Sequence, residues 1–504
     1  MTLNARSESN RAEQAGADAL GAPDVGLKVI RGAGVRAGGY GLGMLLTAVA
    51  SVLLLRHLGV VNFGRYATVT SLVAITGGLT EAGLTAVAGR DLTLRPRGEK
   101  RQRLLENLLG LRLVLTAVGV AAAIAFAAAA SYGRVLVLGT ALAGIGAILS
   151  AYQMTAALPL SIDLRIGRLT ISELVKQAAM LVAFAIFVAV GAGLLPFFGA
   201  AIAVALVGIA VTPSLVGSEF TWRPTFDRAE WRTLIRETLP LSASVVFGVF
   251  YFRVLIVIMS LLASAVATGL YATSFRVVDI LYGAVGLIAT TALPVLTVAA
   301  ADQGRLRYIF QRMTEGAVLG ACLLVLLVAV LAKPVLGLLG GAQYRAAAPV
   351  LRIQLIAVIP VFVTYVWQLT LVSIRRQSLM VVSNGLALVV GLASAFALIP
   401  PYGAKGAAIA AVAAEGACTL CLVVVLRGEP DAPLPNFRFL WKPAIASAVG
   451  VGIGFSPWLP VAAAAAAAAV AYLGVLVLTK AVPNEVRDAV LSYRRPRNQK
   501  SPQP

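Results

Sequence analysis

The chain has 504 residues, 59% of them hydrophobic and 13% charged, with a mean hydropathy of +0.88 and a formal net charge of +20. A water-soluble globule of this size needs far more polar surface, so the composition excludes one and specifies an integral membrane protein. The basic excess is not a nucleic-acid footprint, because the Lys and Arg residues fall in alternate loops between apolar runs.

Residues 1–30 are polar and mixed in charge, with no apolar run before Val29, so a cleaved signal peptide is not expected and a disordered cytoplasmic tail is. Apolar stretches of about 17–25 residues then follow, the length needed to cross about 30 Å of hydrocarbon as a helix. The ten-residue alternation of a membrane barrel is missing, so the expected fold class is all-α and polytopic. About fourteen spans are predicted, near 35–57, 66–90, 104–130, 135–157, 170–191, 197–216, 240–262, 269–298, 314–338, 349–374, 378–399, 405–426, 443–459 and 461–480.

Charge sets the orientation. With the N-terminus inside, about 32 of the 42 Lys and Arg residues lie on the cytoplasmic side. The basic stretches Arg90–Arg103, Arg223–Arg236 and Arg305–Arg312, and the tail with Arg494, Arg495, Arg497 and Lys500, read as topology signals and anionic-lipid contacts, or as the footing of a cytoplasmic partner. Both termini are expected in the cytoplasm and the chain in the cytoplasmic membrane.

Two pentapeptides recur at nearly one offset. Gly64-Arg65-Tyr66-Ala67-Thr68 returns 205 residues later as Gly269-Leu270-Tyr271-Ala272-Thr273, and Gly199-Ala200-Ala201-Ile202-Ala203 returns 207 later as Gly406-Ala407-Ala408-Ile409-Ala410. A duplicated unit follows. Spans 1 and 7 both start inside, so the copies are parallel six-helix repeats of the kind many transporters use. The expected organisation is a tail at 1–30, an N-lobe at 31–216, a linker at 217–239, a C-lobe at 240–426, a linker at 427–442, spans 13–14 at 443–480 and a basic tail at 481–504.

Residue usage argues against chemistry on a bond. His57 is the sole histidine, so neither a His-based metal cluster nor a Ser-His-Asp triad can form. Cys418 and Cys421 form a C-x-x-C without a second pair, which reads as two small residues on one helix face; Cys322 stands alone in span 9. The outer loops are too short to hold the acceptor of a membrane glycan enzyme. No Walker A loop is present, so ATP is not hydrolysed directly.

Charge inside the hydrocarbon is the remaining signal, because it is costly unless paired or facing water. The candidates are Glu81, Arg112, Arg253, Arg276, Asp279 and Glu415. At about 1.5 Å rise per residue, Arg253, Arg276, Asp279 and Glu415 share a depth of roughly 10–15 Å from the outer end of their spans. Arg276 and Asp279, spaced i, i+3, read as a self-neutralising pair or as substrate contacts. Arg112 reads as snorkelling to the cytoplasmic interface, Glu81 as interfacial or functional, and Glu415 as a helix contact or a coupling group. Arg253 follows Tyr251-Phe252 and has no acid one turn away, so an anion is its expected partner.

Several blocks resemble one family. Leu58-Gly59-Val60-Val61-Asn62-Phe63-Gly64-Arg65-Tyr66 is similar to the L-G-x-x-x-[FY]-G-x-Y signature of polysaccharide-type exporters, and Glu81-Ala82-Gly83-Leu84 falls at that family's G-L pair. Gly269-Leu270-Tyr271 with Arg276, then Ala292-Leu293-Pro294-Val295-Leu296, resembles its span 8 pattern. Tyr344-Arg345-Ala346-Ala347-Ala348-Pro349 and Ile399-Pro400-Pro401-Tyr402-Gly403-Ala404-Lys405-Gly406-Ala407-Ala408 resemble its C-terminal blocks. The resemblance covers roughly residues 30–480 and points to the oligosaccharide flippase branch of the multidrug/oligosaccharidyl-lipid/polysaccharide exporter superfamily.

That resemblance implies two six-helix lobes in a V around a central cavity, and transfer of polyprenyl-diphosphate-linked glycans to the outer leaflet by alternating access, for cell-surface polysaccharide synthesis. Some relatives carry two added helices, which form a lipid groove in lipid II flippases. Arg276 and Asp279 match charged positions on span 8 of those relatives. Gly38 to Leu55 lacks the basic-acidic cluster of the lipid II subtype, so another glycan is expected.

On this reading Arg253 and Arg276 bind the head-group anion, and Asp279, Glu81 and Glu415 are coupling or ion-pair candidates. No cofactor or metal is expected beyond a coupling H⁺ or Na⁺. The partners are the lipid-linked glycan, the phospholipid bilayer and other polysaccharide-assembly membrane proteins, with no nucleic acid. A cation-coupled drug or metabolite antiporter of the same superfamily is the alternative, and a membrane-embedded glycan enzyme a more distant one.

Orientation is testable directly. Cysteines placed in the Gly64 and Gly403 loops should react with impermeant thiol reagents from outside, and cysteines near Arg97 and Arg228 should not; the opposite labelling overturns the inside-positive assignment.

Overall fold

The computed structural model describes residues 23–81, 84, 89, 92, 98–163, 165–217 and 223–481, with the side chains of 23–37, 79–81, 237, 239–245, 284–291 and 294 left aside. Of the tails expected at 1–30 and 481–504, residues 1–22 and 482–504, including Arg494, Arg495, Arg497 and Lys500, lie outside this set, as do Arg97 and the Glu81 side chain. Among the described residues every regular element is a helix.

The first helix, α1 (Pro23–Glu81), begins inside the tail expected through Ile30, because Pro23 brings a helical φ to the first turn. Gly59 breaks it, with φ 69° and ψ 174°, a conformation that essentially only glycine adopts. The outer loop expected over 58–65 is therefore one residue long, and Gly64 lies buried in a helix. Arg65, which is exposed, is the better position for an outside label.

Ten stretches among the described residues are long and apolar enough to cross a membrane, making this a multi-pass membrane protein. The kinked α1 counts once among them, as 38–78, and α14 (Trp441–Gly454) has only 14 residues; α7 (Arg228–Leu262) and the span predicted at 269–298 include residues whose side chains are left aside.

The chain forms two compact units. The first holds residues 1–57 and 76–239: the first arm of α1, then α2 (Glu99–Ala129), α3 (Arg134–Ala156), α4 (Leu158–Ile162), α5 (Ile166–Ala189), α6 (Leu194–Val216) and the start of α7. Here α2 packs on α3, α3 on α6, and α5 on α6. Small residues set the spacing: a Cβ on Gly146 of α3 would stand 2.5 Å from that of Ala201 on α6, and one on Gly43 of α1 would stand 2.1 Å from Gln177 Oε1 of α5. His57 shares a hydrogen bond of 2.7 Å with the Ala192 carbonyl oxygen, a structural pin. At the other end Arg101 bridges Asp163 at 2.9 Å, and Trp231 donates to the Asn107 carbonyl, fastening the start of α7 onto α2.

The second unit holds residues 58–75 and 240–504. It contains the second arm of α1, the rest of α7, α8 (Ala265–Ala299), α9 (Gln303–Val330), α10 (Ala332–Gly340), α11 (Ala348–Ser373), α12 (Met380–Tyr402), α13 (Ala404–Gly428), α14 and α15 (Val461–Leu478). In this unit α9 packs on α11, α11 on α13, and α12 on α13, the order already seen for α2, α3, α5 and α6. The duplication read from the pentapeptides is thus repeated in the packing.

The pentapeptides themselves meet in the second unit. A Cβ on Gly64 would stand 2.8 Å from the Ala265 carbonyl oxygen, and one on Gly269 would stand 2.0 Å from the Val60 carbonyl oxygen. Because 265 follows 60 by the repeat offset of 205, each copy makes the same contact with the other, as in a two-fold interface. Outside the repeat, α14 and α15 pair and lean on α9, where Gly450 admits Leu326, Gly454 admits Val330, and the Tyr472 hydroxyl donates to the Leu319 carbonyl at 2.9 Å.

Gly269→Ala should force two backbones apart and destabilise the protein by roughly 1–3 kcal/mol, seen as a lower melting temperature in detergent. Gly316→Ala on α9, where a Cβ meets nothing within 4 Å, should be neutral or stabilising. Equal effects of the two would show that close approach at Gly269 is not what holds the crossing.

Candidate functional site

Three of the four charged residues grouped by depth come together. Arg253 on α7 and Arg276 on α8 both face Oδ2 of Asp279 on α8, each at 3.7 Å. Helical geometry puts Arg276 and Asp279 one turn apart on one face, and the neighbouring α7 delivers Arg253. This corrects the expectation that Arg253 lacks an acid: its partner is across the helix pair, where spacing along α7 cannot reveal it. The Arg253 guanidinium also lies 5.4 Å from the Phe275 ring centre, within cation–π range. All three charged side chains remain about one-third exposed, at 32–35%.

Glu415 is placed elsewhere. It is buried on α13 and accepts a hydrogen bond from the Tyr251 hydroxyl of α7. Both line a small cavity within the second unit, together with Tyr271, Phe275 and Tyr282 of α8 and Gln354 of α11. There is room at its centre for about one water-sized guest. Neither terminal atom of the Gln354 amide meets a partner at hydrogen-bond geometry, although the Tyr271 hydroxyl lies beside it. Phe275 joins the two sites, one of them charged and partly open, the other aromatic and enclosed.

The other candidates separate from these. Arg112 does not snorkel: it is 2% exposed and donates to Thr155 Oγ1 at 3.1 Å, because α3 stands where the interface was expected. Cys418 is a buried free thiol 3.8 Å from Asn384 Oδ1, and Cys322 and Cys421 are also free. Among the described residues no group of His, Cys, Asp or Glu side chains is arranged to hold a metal ion.

Sequence reasoning passed over several polar residues. Tyr271, Phe275, Val278 and Tyr282 form an i, i+4, i+7, i+11 stripe that predicts one helix face, a signal present but unused. Lys176 lies inside the fifth predicted span, where its ammonium donates to Gln153 Oε1 at 3.2 Å; Gln153 in turn donates to Thr212 at 3.0 Å. Gln354 carries no charge and leaves no such mark in the sequence.

The chain belongs to the polysaccharide biosynthesis protein family, which its residues 29–299 match. Its fold is that of a solved lipid II flippase MurJ in an inward closed conformation, at 12% identity and a TM-score of 0.73, over 90% of this chain and 99% of that one. An inward-facing multidrug resistance MATE family transporter of the MOP superfamily aligns at 13% identity and 0.62, over 79% and 97%. A MATE transporter from Vibrio cholerae aligns at 16% and 0.52, over 80% and 97%. No curated protein matches the sequence.

The contribution of the Tyr251–Glu415 bond to stability can be measured on its own. Tyr251→Phe removes the donor from a buried carboxyl group and should cost about 1–3 kcal/mol of stability. Adding Glu415→Gln should recover part of that loss, as coupled neighbours do. Strictly additive melting temperatures would mean the two side chains do not depend on each other.

Proposed function

We propose that this protein is a flippase that moves a polyprenyl-diphosphate-linked glycan from the inner to the outer leaflet by alternating access, for polysaccharide assembly at the cell surface. The observation that carries this reading is the convergence of Arg253 and Arg276 on the Asp279 carboxylate, at a site within the spans that is about one-third exposed. A diphosphate head must leave water to cross, and guanidinium forks match its oxygens with charge-assisted hydrogen bonds. Family membership and the flippase-like fold support the same substrate class.

The role is non-enzymatic, the membrane is the cytoplasmic one, and both termini face the cytoplasm. Coupling draws on H⁺ or Na⁺, on the membrane potential, or on consumption of the glycan outside. Glu415, enclosed with three tyrosines, is the feature that suits the alternative, a cation-coupled antiporter. The partly open site is cationic, which favours an anionic cargo.

Arg253→Ala leaves Arg276 and Asp279 as a neutral pair. Loss of one charge-assisted contact of roughly 1.5–3 kcal/mol should weaken substrate affinity about ten- to a hundredfold in reconstituted vesicles. Arg253→Lys keeps the charge but not the planar fork and should be partly active. Accumulation should change little, since the ion pair is about one-third exposed and screened. If Arg253→Ala flips substrate normally, or fails to accumulate while Arg253→Lys is fully active, the anion-site assignment is wrong.

A further inference from the structure

A buried amide in a membrane protein needs a partner from within, because hydrocarbon supplies none. Gln354 of α11 is 2% exposed, and neither its Oε1 nor its Nε2 meets a protein group at hydrogen-bond geometry. The Tyr271 hydroxyl lies beside it. A hydroxyl carries one proton, so even a closed contact there engages one end of the amide and leaves the other. Gln354 lines the cavity it shares with Tyr251, Tyr282 and Glu415, and a polar group left over at a cavity wall marks a place for a guest.

Size limits that guest. The cavity leaves about 20 Å³ for the centre of a water-sized molecule, above the roughly 10–15 Å³ that one bound water needs. Chemistry limits it further. The amide presents an acceptor and a donor side by side, so a fitting guest donates and accepts at once. An apolar guest does neither, and a monovalent cation would be held by Oε1 and the carboxyl group but has nothing to offer the Nε2 hydrogens. Water does both. Its remaining bonds are at hand: Glu415 accepts from the Tyr251 hydroxyl through Oε1 and has further lone pairs, and the Tyr271 hydroxyl can give or take. Together these supply the two to four polar partners, roughly, of a buried water.

We propose that this cavity is the seat of one resident water molecule, which bridges the Gln354 amide of α11 to the Glu415 carboxyl group of α13, beside the Tyr251 hydroxyl of α7 and the Tyr271 hydroxyl of α8. One molecule thereby joins four helices of the second unit. It gives each buried polar group the partner that the helices alone do not provide, and so fixes how α11 sits against α13 and α7. The site is distinct from the arginine pair, and its existence does not depend on what the protein carries.

The first test is the sign of one substitution in the full-length protein in detergent. Gln354→Leu removes the amide. Bridged by water, the amide stabilises the protein, and its loss should lower the melting temperature by a few degrees, because the water leaves with it and the Glu415 carboxyl group loses a donor. Without a partner, the amide destabilises the protein, and the same substitution should raise the melting temperature. A rise, or no change, overturns the proposal.

Wild type provides a readout that does not need the variant to fold. Hydroxyl radicals made from a bound water by a brief X-ray pulse oxidise the side chains that touch it. Tyr251 and Tyr271 should therefore be oxidised several-fold faster than Tyr344 and Tyr472, which are also buried but stand outside this cavity. Equal rates overturn the proposal, and fast oxidation that persists in Gln354→Leu overturns the bridging role. Sodium chloride in place of choline chloride decides against a cation: if it raises the melting temperature of wild type but not of Gln354→Leu, and protects Tyr251 and Tyr271 from oxidation, the guest is a cation and the water assignment falls.

Discussion

Within hydrocarbon, burial of apolar surface gives helices no reason to prefer one another over lipid, so association depends on how closely their backbones approach. This chain meets that constraint with glycine at the crossings. Gly64 and Gly269, equivalent members of the two repeats, let the second arm of α1 and α8 run backbone against backbone. Gly146 brings α3 onto the Ala201 backbone of α6, whereas Gly43 of α1 admits the Gln177 side chain of α5, and Gly450 and Gly454 of α14 admit Leu326 and Val330 of α9. The Gly64–Gly269 crossing and α11 thus hold α8, the helix that carries Phe275, Arg276, Asp279 and Tyr282.

The same solvent decides where charge can stand. A charged group in a span is tolerated when paired or reachable by water, and the chain shows distinct solutions. Arg112 is enclosed and bonded to Thr155, which fits a structural role. Glu415 is enclosed with the Tyr251 hydroxyl for a donor. Arg253 and Arg276 each stand 3.7 Å from Asp279 Oδ2, and all three side chains stay about one-third exposed.

Composition and apolar run length revealed the helical class and the approximate spans, and two recurring pentapeptides the duplication, because each can be read along one dimension. Depth along a helix was legible too, which is how Arg253, Arg276 and Asp279 came to be grouped. Azimuth between helices was not. It brought Arg253 to Asp279, took Glu415 away from both, and enclosed Arg112 beneath α3. Gly59 fell in the loop expected between the spans at 35–57 and 66–90, whereas a single residue with φ 69° suffices to end one helix and start the next. Gln354 and Lys176 act through partners on other helices, a relation no spacing within one helix encodes.

The adjacency of the two sites in the second unit bears on how they work together. Phe275 has one neighbour in each: the Arg253 guanidinium lies 5.4 Å from its ring, and its ring also lines the cavity of Tyr251, Gln354 and Glu415. Tyr251 and Arg253 sit two residues apart on α7, as Asp279 and Tyr282 sit one turn apart on α8, so neither site can rearrange its helix without moving the other. Interiors packed this way respond by switching between discrete arrangements rather than by deforming smoothly.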